Sequence, residues 1–383
     1  MMSGVRALRA RMHGGPALAA VVAGLLVAGC REPRDNPSPV VLTHEAYVWQ
    51  RAWTGAVREA VAAAPPELSG LRVLVLEVDD GKLSWPEVAE AGDAGIEALV
   101  ATHRPVTAVV RIAGSRPIAG LSLAPVLARL DVWRNAGVHV VGVEIDHDCA
   151  TAALPEYAAW LNSARVPAPL RWSITALPTW AGSPALPRVA GAVDEIVVQV
   201  HAVRAPSVFE PQQARRWLTE FARAVPDRPL RVAVPTYRVV VRNAPLAADP
   251  VQVAGFVQTL ARDPIAGVQG VVWFRLPVDS DRATWSTPTL RAVIAGLPLA
   301  PELRIRLVEQ HAGVFDVVLA NSGSLDASYP ALRFSGSVAA VDLVDGYRAM
   351  DTRQWMPPDR IAPAGSQRVI GWATGQGIVV DAN

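Results

Sequence analysis

The chain has 383 residues, 51% hydrophobic and 19% charged, with 36 basic side chains against 35 acidic ones and a net charge of +1. Such a length holds two domains, or one large barrel and a smaller companion. The balanced, unclustered charge excludes a disordered polyelectrolyte and a nucleic-acid-binding arm. Lys82 is the one lysine, which leaves little material for Schiff-base chemistry or a P-loop.

In chain order, the first element reads as a processing signal. Arg6, Arg9 and Arg11 precede an apolar run, Pro16 to Ala28, that is short for a membrane span. It ends in Val27-Ala28-Gly29-Cys30, which resembles the bacterial lipobox, where the Cys is acylated and becomes the new N-terminus. The expected layout is a lipoprotein signal peptide over 1–29, lipidation at Cys30 and a tether over 30–44. An exported protein anchored to the bacterial envelope follows, at the outer membrane or the periplasmic face. With Cys30 lipidated only Cys149 remains, so a disulfide is not expected, and Cys149 reads as a small buried residue.

From Glu45 onward, short β-branched runs alternate with amphipathic ones, as in βα units on a parallel sheet. Eight strands are predicted at 46–50, 72–78, 106–112, 139–146, 170–177, 195–201, 230–237 and 270–276. Helical patterns fall at 55–64, 121–135, 155–164, 212–224, 250–262 and 287–295. Eight units in this length predict an α/β fold, a (β/α)8 TIM-like barrel over 45–298. No Gly-x-Gly-x-x-Gly follows the first strand to favour a doubly wound sheet. Beyond Pro298 the pattern turns to short alternating stretches and turn clusters, which predicts a small C-terminal antiparallel β-domain, sandwich-like, over 302–383. Asp326, Asp342 and Asp345 lie in or beside its turns, where solvated roles are the default.

A barrel places its chemistry at the C-terminal ends of its strands. In the fourth strand Val141, Val143 and Ile145 share the helix-facing side, leaving Gly142, Glu144, Asp146 and Asp148 to point inward. Three carboxylates spaced about 6.6 Å apart raise one another's pKa, as a general acid requires. Glu144 reads as a structural residue paired with Arg111 or Arg275. Asp146 and Asp148 read as functional. The same parity brings Trp49, Glu77, Arg111, Gln199, His201, Trp273 and Arg275 to the inner mouth, with Tyr237 nearby, where Trp faces can stack on sugar rings. His201 is a candidate base or a satisfied polar residue. Trp133, Trp160 and Trp217 fall on predicted helices and read as packing. A divalent-metal site on the three carboxylates is the alternative to acid chemistry; the reading expects no metal and no cofactor.

The segment Gly142-Val143-Glu144-Ile145-Asp146-His147-Asp148 resembles the fourth-strand signature of the family 18 glycoside hydrolases, the chitinase-like barrels. Carried over by position, the resemblance makes Asp148 the general acid and Asp146 its supporting carboxylate. Asp148 is one methylene shorter than the family's Glu, and Glu144 stands where the family has Asp. Pro235-Thr236-Tyr237 and Trp273 resemble further positions of that sugar site. The whole chain also resembles the bacterial lipoprotein family with domain of unknown function 3142, through the lipobox, Tyr47 to Trp53, Val143 to Cys149 and Ser173 to Trp180. Together these imply a lipid-anchored glycoside-hydrolase-like protein acting on a polysaccharide or oligosaccharide, with a non-catalytic glycan- or protein-binding barrel as the alternative.

Overall fold

The computed structural model describes residues 40–87, 94–115, 120–204, 207–241 and 244–382. The expected signal peptide, Cys30 and most of the expected tether lie outside them. Eight parallel strands form a closed ring: β1 (Thr43–Val48), β2 (Gly70–Asp79), β3 (Val106–Ile112), β4 (Val140–His147), β5 (Arg171–Ala176), β6 (Glu195–Gln199), β7 (Leu230–Pro235) and β8 (Val268–Phe274). Each pairs with its successor, and β1 closes the ring by pairing with β8 at Glu45↔Val272 and with β2 at Tyr47↔Arg72.

The connecting helices are α1 (Gly55–Ala62), α2 (Ala94–Ala101), α3 (Ala124–Asn135), α4 (Leu154–Ser163), α5 (Leu186–Gly191), α6 (Pro211–Ala224), α7 (Pro250–Arg262) and α8 (Thr287–Ile294). Six of them carry Pro in the first turn: Pro125, Pro155, Pro187, Pro211, Pro250 and Pro288. Proline fits there because the first-turn N–H groups have no helical acceptor, which accounts for part of the chain's high proline content. Asp249 and Ser286 cap α7 and α8 by accepting from Val251 N and Thr289 N. Helices α2 and α5 were not anticipated. The first is short and Ala-rich with weak amphipathicity, and the second is a six-residue turn.

Between the ring and the helices lies one large apolar layer that contains Trp133, Trp172, Trp180 and Trp273, all fully buried. Inside the ring, the floor is ionic. Arg72, with a side chain 2% exposed, reaches Glu45 (2.5 Å), Glu195 (2.6 Å) and Glu144. Arg231 joins Glu195 (2.8 Å) and Glu45 (3.2 Å). Gly270 makes room for this network, since a Cβ there would collide with the Arg231 guanidinium and with Thr43. Above the floor, Tyr47, Val109, Val197, Ala233 and Val272 form an apolar plug.

The C-terminal part is antiparallel: β9 (Leu303–His311), β10 (Val314–Asn321), β11 (Leu332–Leu343), β12 (Arg348–Ala349), β13 (Gln354–Met356) and β14 (Ser366–Ala382), in the order β9-β10-β14-β11-β13-β12. A second layer exists only as the two-residue strands 327–328 and 361–362. The sandwich-like expectation is thus corrected to one six-stranded sheet, whose buried side chains, among them Val317, Phe334 and Ile370, pack with Tyr329, Tyr347 and Ala362. Its long strands β11 and β14 pair with register shifts between Ser335 and Ser337 and between Val338 and Ala340, the kind of irregularity that bends a strand. Asp326 and Asp345 are not solvated turn residues. Asp326 accepts from Ser286 N (2.8 Å), Ser286 Oγ (2.6 Å) and Ala364 N (2.9 Å), which ties the sheet to the start of α8. Asp345 takes ion pairs from Arg360 (2.7 Å) and Arg368 (2.6 Å).

Candidate active site

Strand β4 aims its alternate residues into the ring, and the result is graded by depth. Glu144 is fully buried in the ionic floor. It accepts from Tyr47 Oη (2.6 Å), from Thr175 Oγ1 (2.9 Å) and from Arg72, which replaces the Arg111 or Arg275 partner expected from sequence. Asp146 stands one step higher, with its side chain 11% exposed, and Asp148 lies at the rim with 45% exposed. One guanidinium holds both. Arg111, at the end of β3, places Nη1 3.1 Å from Asp146 and Nη2 2.6 Å from Asp148.

Burial pushes the Asp146 carboxyl up to about 7, with the negative charges of Asp148 and Glu144 adding to the rise and Arg111 opposing it. In the floor the balance goes the other way. Burial disfavours the charged form of Glu195, but Arg72 and Arg231 together outweigh it and hold that carboxyl down at about 2.

Around the mouth, Trp49 meets Tyr47 and Phe274 edge-on at 5.7 and 5.2 Å between ring centroids. His201 stacks on Phe274 at 5.4 Å, and its Nδ1 lies 3.2 Å from Tyr237 Oη. Burial drops the His201 imidazole to about 3, so it is neutral at pH 7, and raises the Tyr237 phenol to about 12. A neutral ring beside a protonated phenol serves as a hydrogen-bonding wall, not as a cationic acid. Gln199 donates to the His201 carbonyl (3.3 Å). Glu77 pairs with Arg51 (2.6 Å between Oε1 and Nη2), and Arg275 pairs with Asp281.

Trp273 is the residue that parity misplaces. Val272 and Phe274 point inward from β8, and Trp273 points out to the helix layer, stacked on His44 at 5.9 Å and beside Trp285. The expected inward Trp is therefore absent from that position, and Phe274 supplies the aromatic face. Arg72, Tyr47, Arg51, Phe274 and Asp281 were missed. Arg72 and Glu77 share the inner side of β2 only because the ladder shifts register between Leu74 and Leu76, so strict alternation selects one and hides the other. Cys149 is buried, its thiol pushed up to about 12 by burial, and it takes no part in the mouth. Among the described residues no group of three His, Cys, Asp or Glu side chains is arranged to hold a metal ion.

A closed barrel with paired carboxylates and aromatic faces at the C-terminal ends of its strands sets the frame for comparison with known proteins. Residues 102–279, from just before β3 through β8, match the domain of unknown function DUF3142. The matched span contains Arg111, Asp146, Asp148, His201 and Tyr237. It stops short of Trp49 and Glu77, so β1 and β2 complete the mouth from outside the match. Residues 305–376, most of the C-terminal sheet, match a second domain of unknown function, DUF8456. No curated protein matches the chain.

Among solved structures the chain is similar to the spore cortex-lytic enzyme SleL of Bacillus cereus (11% identity, 69% of this chain and 76% of that one, TM-score 0.46). It is also similar to a GH18 chitinase from Pseudoalteromonas aurantia (15%, 66% and 98%, 0.45). A third is the xylanase and alpha-amylase inhibitor protein XAIP-II from Scadoxus multiflorus (14%, 68% and 100%, 0.44). The fold is a closed ring of eight parallel strands with connecting helices, a (β/α)8 TIM-like barrel.

Proposed function

We propose that the protein is an envelope lipoprotein, anchored through Cys30, whose barrel cleaves glycosidic bonds of an envelope or secreted polysaccharide with the Asp146–Asp148 pair. The observation that carries this reading is the pair itself: a carboxyl raised to about 7 beside a rim carboxylate, both on Arg111, where a barrel exposes its interior. One member protonates the leaving oxygen as the C–O bond breaks and the other faces the developing positive charge. Trp49 and Phe274 offer the ring faces on which a sugar stacks.

The test is a glycan hydrolysis screen of the full chain beside Asp148→Asn and Asp146→Asn. Turnover by the parent that falls at least about 100-fold in both variants, with unchanged folding, supports the reading; full turnover in either variant overturns it. The Arg111–Asp148 contact favours a second reading, non-catalytic glycan binding, because a carboxylate already bonded to a guanidinium has less freedom to reach a scissile oxygen. Glycan binding that survives both substitutions without turnover selects that alternative.

A further inference from the structure

The roles of Asp146 and Asp148 cannot be read from their order in the strand, because a third residue acts on both. Arg111 divides its two terminal nitrogens between them, with the shorter contact on the exposed carboxylate and the longer one on the enclosed carboxylate. A guanidinium favours the charged form of what it touches, and most strongly at the shorter distance. The remaining neighbours push the same way. Below Asp146 lie the Glu144 carboxylate on β4 and the hydroxyls of Tyr47 on β1 and Thr175 on β5; Tyr47 and Thr175 both already donate to Glu144. Tyr157 on α4 lies within electrostatic reach, with its hydroxyl buried and unpartnered. His201 beyond β6 and His147 on the helix-facing side of β4 lie within electrostatic reach of Asp148, both disfavoured as cations by burial, and Glu77 on β2 is taken by Arg51. Among the described residues, Arg111 is thus the cation in contact with the pair.

We propose that Arg111 is the positioning residue of the site: its clamp fixes both carboxyls across the mouth while enclosure leaves the proton on Asp146, which exchanges the two roles implied by the chitinase-like signature. The chemistry rests on the glycosidic reading, but the assignment of the proton does not. In that chemistry Asp146 gives its proton to the leaving oxygen as the C–O bond breaks and its electron pair moves to that oxygen. Asp148 faces the positive charge left on the sugar, and water then adds, returning a proton to Asp146. Pairs of this kind titrate in two steps that belong to the pair, and Arg111 sets how high the upper one lies.

The experiment is a pH titration of the full-length protein in detergent micelles, labelled with 13Cγ-aspartate, with the two signals assigned by Asp146→Asn and Asp148→Asn. The parent should show the upper step on Asp146. In Arg111→Met that step should rise by about one to three pH units, the reach of a lost neighbouring cation. Arg111→Lys keeps the charge at a single point, so the gap between the two steps should narrow, and this variant also stands in if Arg111→Met fails to fold. An upper step on Asp148 in the parent, or steps unmoved in the variants, overturns the proposal. The predicted titration without any hydrolysis would support the clamp and sink the glycosidic reading alone.

Discussion

At the scale of single residues, depth along β4 decides chemistry more than residue type does. Three inward carboxylates two positions apart end as a buried structural ion, an enclosed group with a raised pKa and an exposed rim group. Asp146, raised from 3.8 to about 7, binds a proton more tightly in the folded chain than in the unfolded one. Its stabilising contribution is therefore complete below pH 3.8 and is lost as pH rises through about 7. Asp146→Asn, which cannot ionise, should melt a few degrees above the parent at pH 8 and level with it near pH 4, read by thermal unfolding at both values; equal melting at pH 8 would contradict the burial argument. At the rim, Trp49→Ala removes a stacking face and should weaken glycan binding about tenfold, measured by calorimetry, without changing the fold.

At the scale of elements, the barrel separates a floor that stabilises from a mouth that can act. Arg72 bridges three glutamates in the floor, and removing one partner of a buried ion cluster leaves charges uncompensated. Arg72→Met should cost about 3–5 kcal/mol of stability in denaturant unfolding; a loss below about 1 kcal/mol would show that the floor glutamates find other partners. Glu195, held at about 2 instead of its usual 4.5, contributes stability that is present above pH 4.5 and lost as pH falls through about 2. The eight strands were legible in the sequence because each is a short β-branched run between turn signals, and 106–112 coincides with the observed β3. Asp146, Asp148 and Arg111 were legible because β3 and β4 alternate without interruption near their ends. Arg72 was not, since the register shift in β2 breaks strict alternation, and Trp273 was misread because nothing local to β8 tells Trp273 from Phe274 as the inward ring.

At the scale of the whole molecule, the C-terminal sheet meets the barrel through a polar latch. Asp326 holds the first turn of α8 and the Ala364 amide together, and Ser324 donates to the carbonyl of Pro298 (2.6 Å). These bonds join the sheet to the start of the last barrel helix. Asp326→Ala should lower the melting temperature while leaving the mouth's ion pairs intact. The proposed anchor acts at the same scale: Cys30→Ala should abolish lipid labelling and membrane attachment, and unchanged labelling in that variant would contradict it.

Whether the Asp146–Asp148 pair makes the barrel mouth a glycosidic acid site is read most directly from release of reducing ends from envelope polysaccharides by the full chain, followed across pH and compared with Asp146→Asn. Turnover by the parent should fall off as pH rises through about 7 and be lost in the variant. Turnover in Asp146→Asn equal to that of the parent, with the same pH dependence, would contradict this role of the pair.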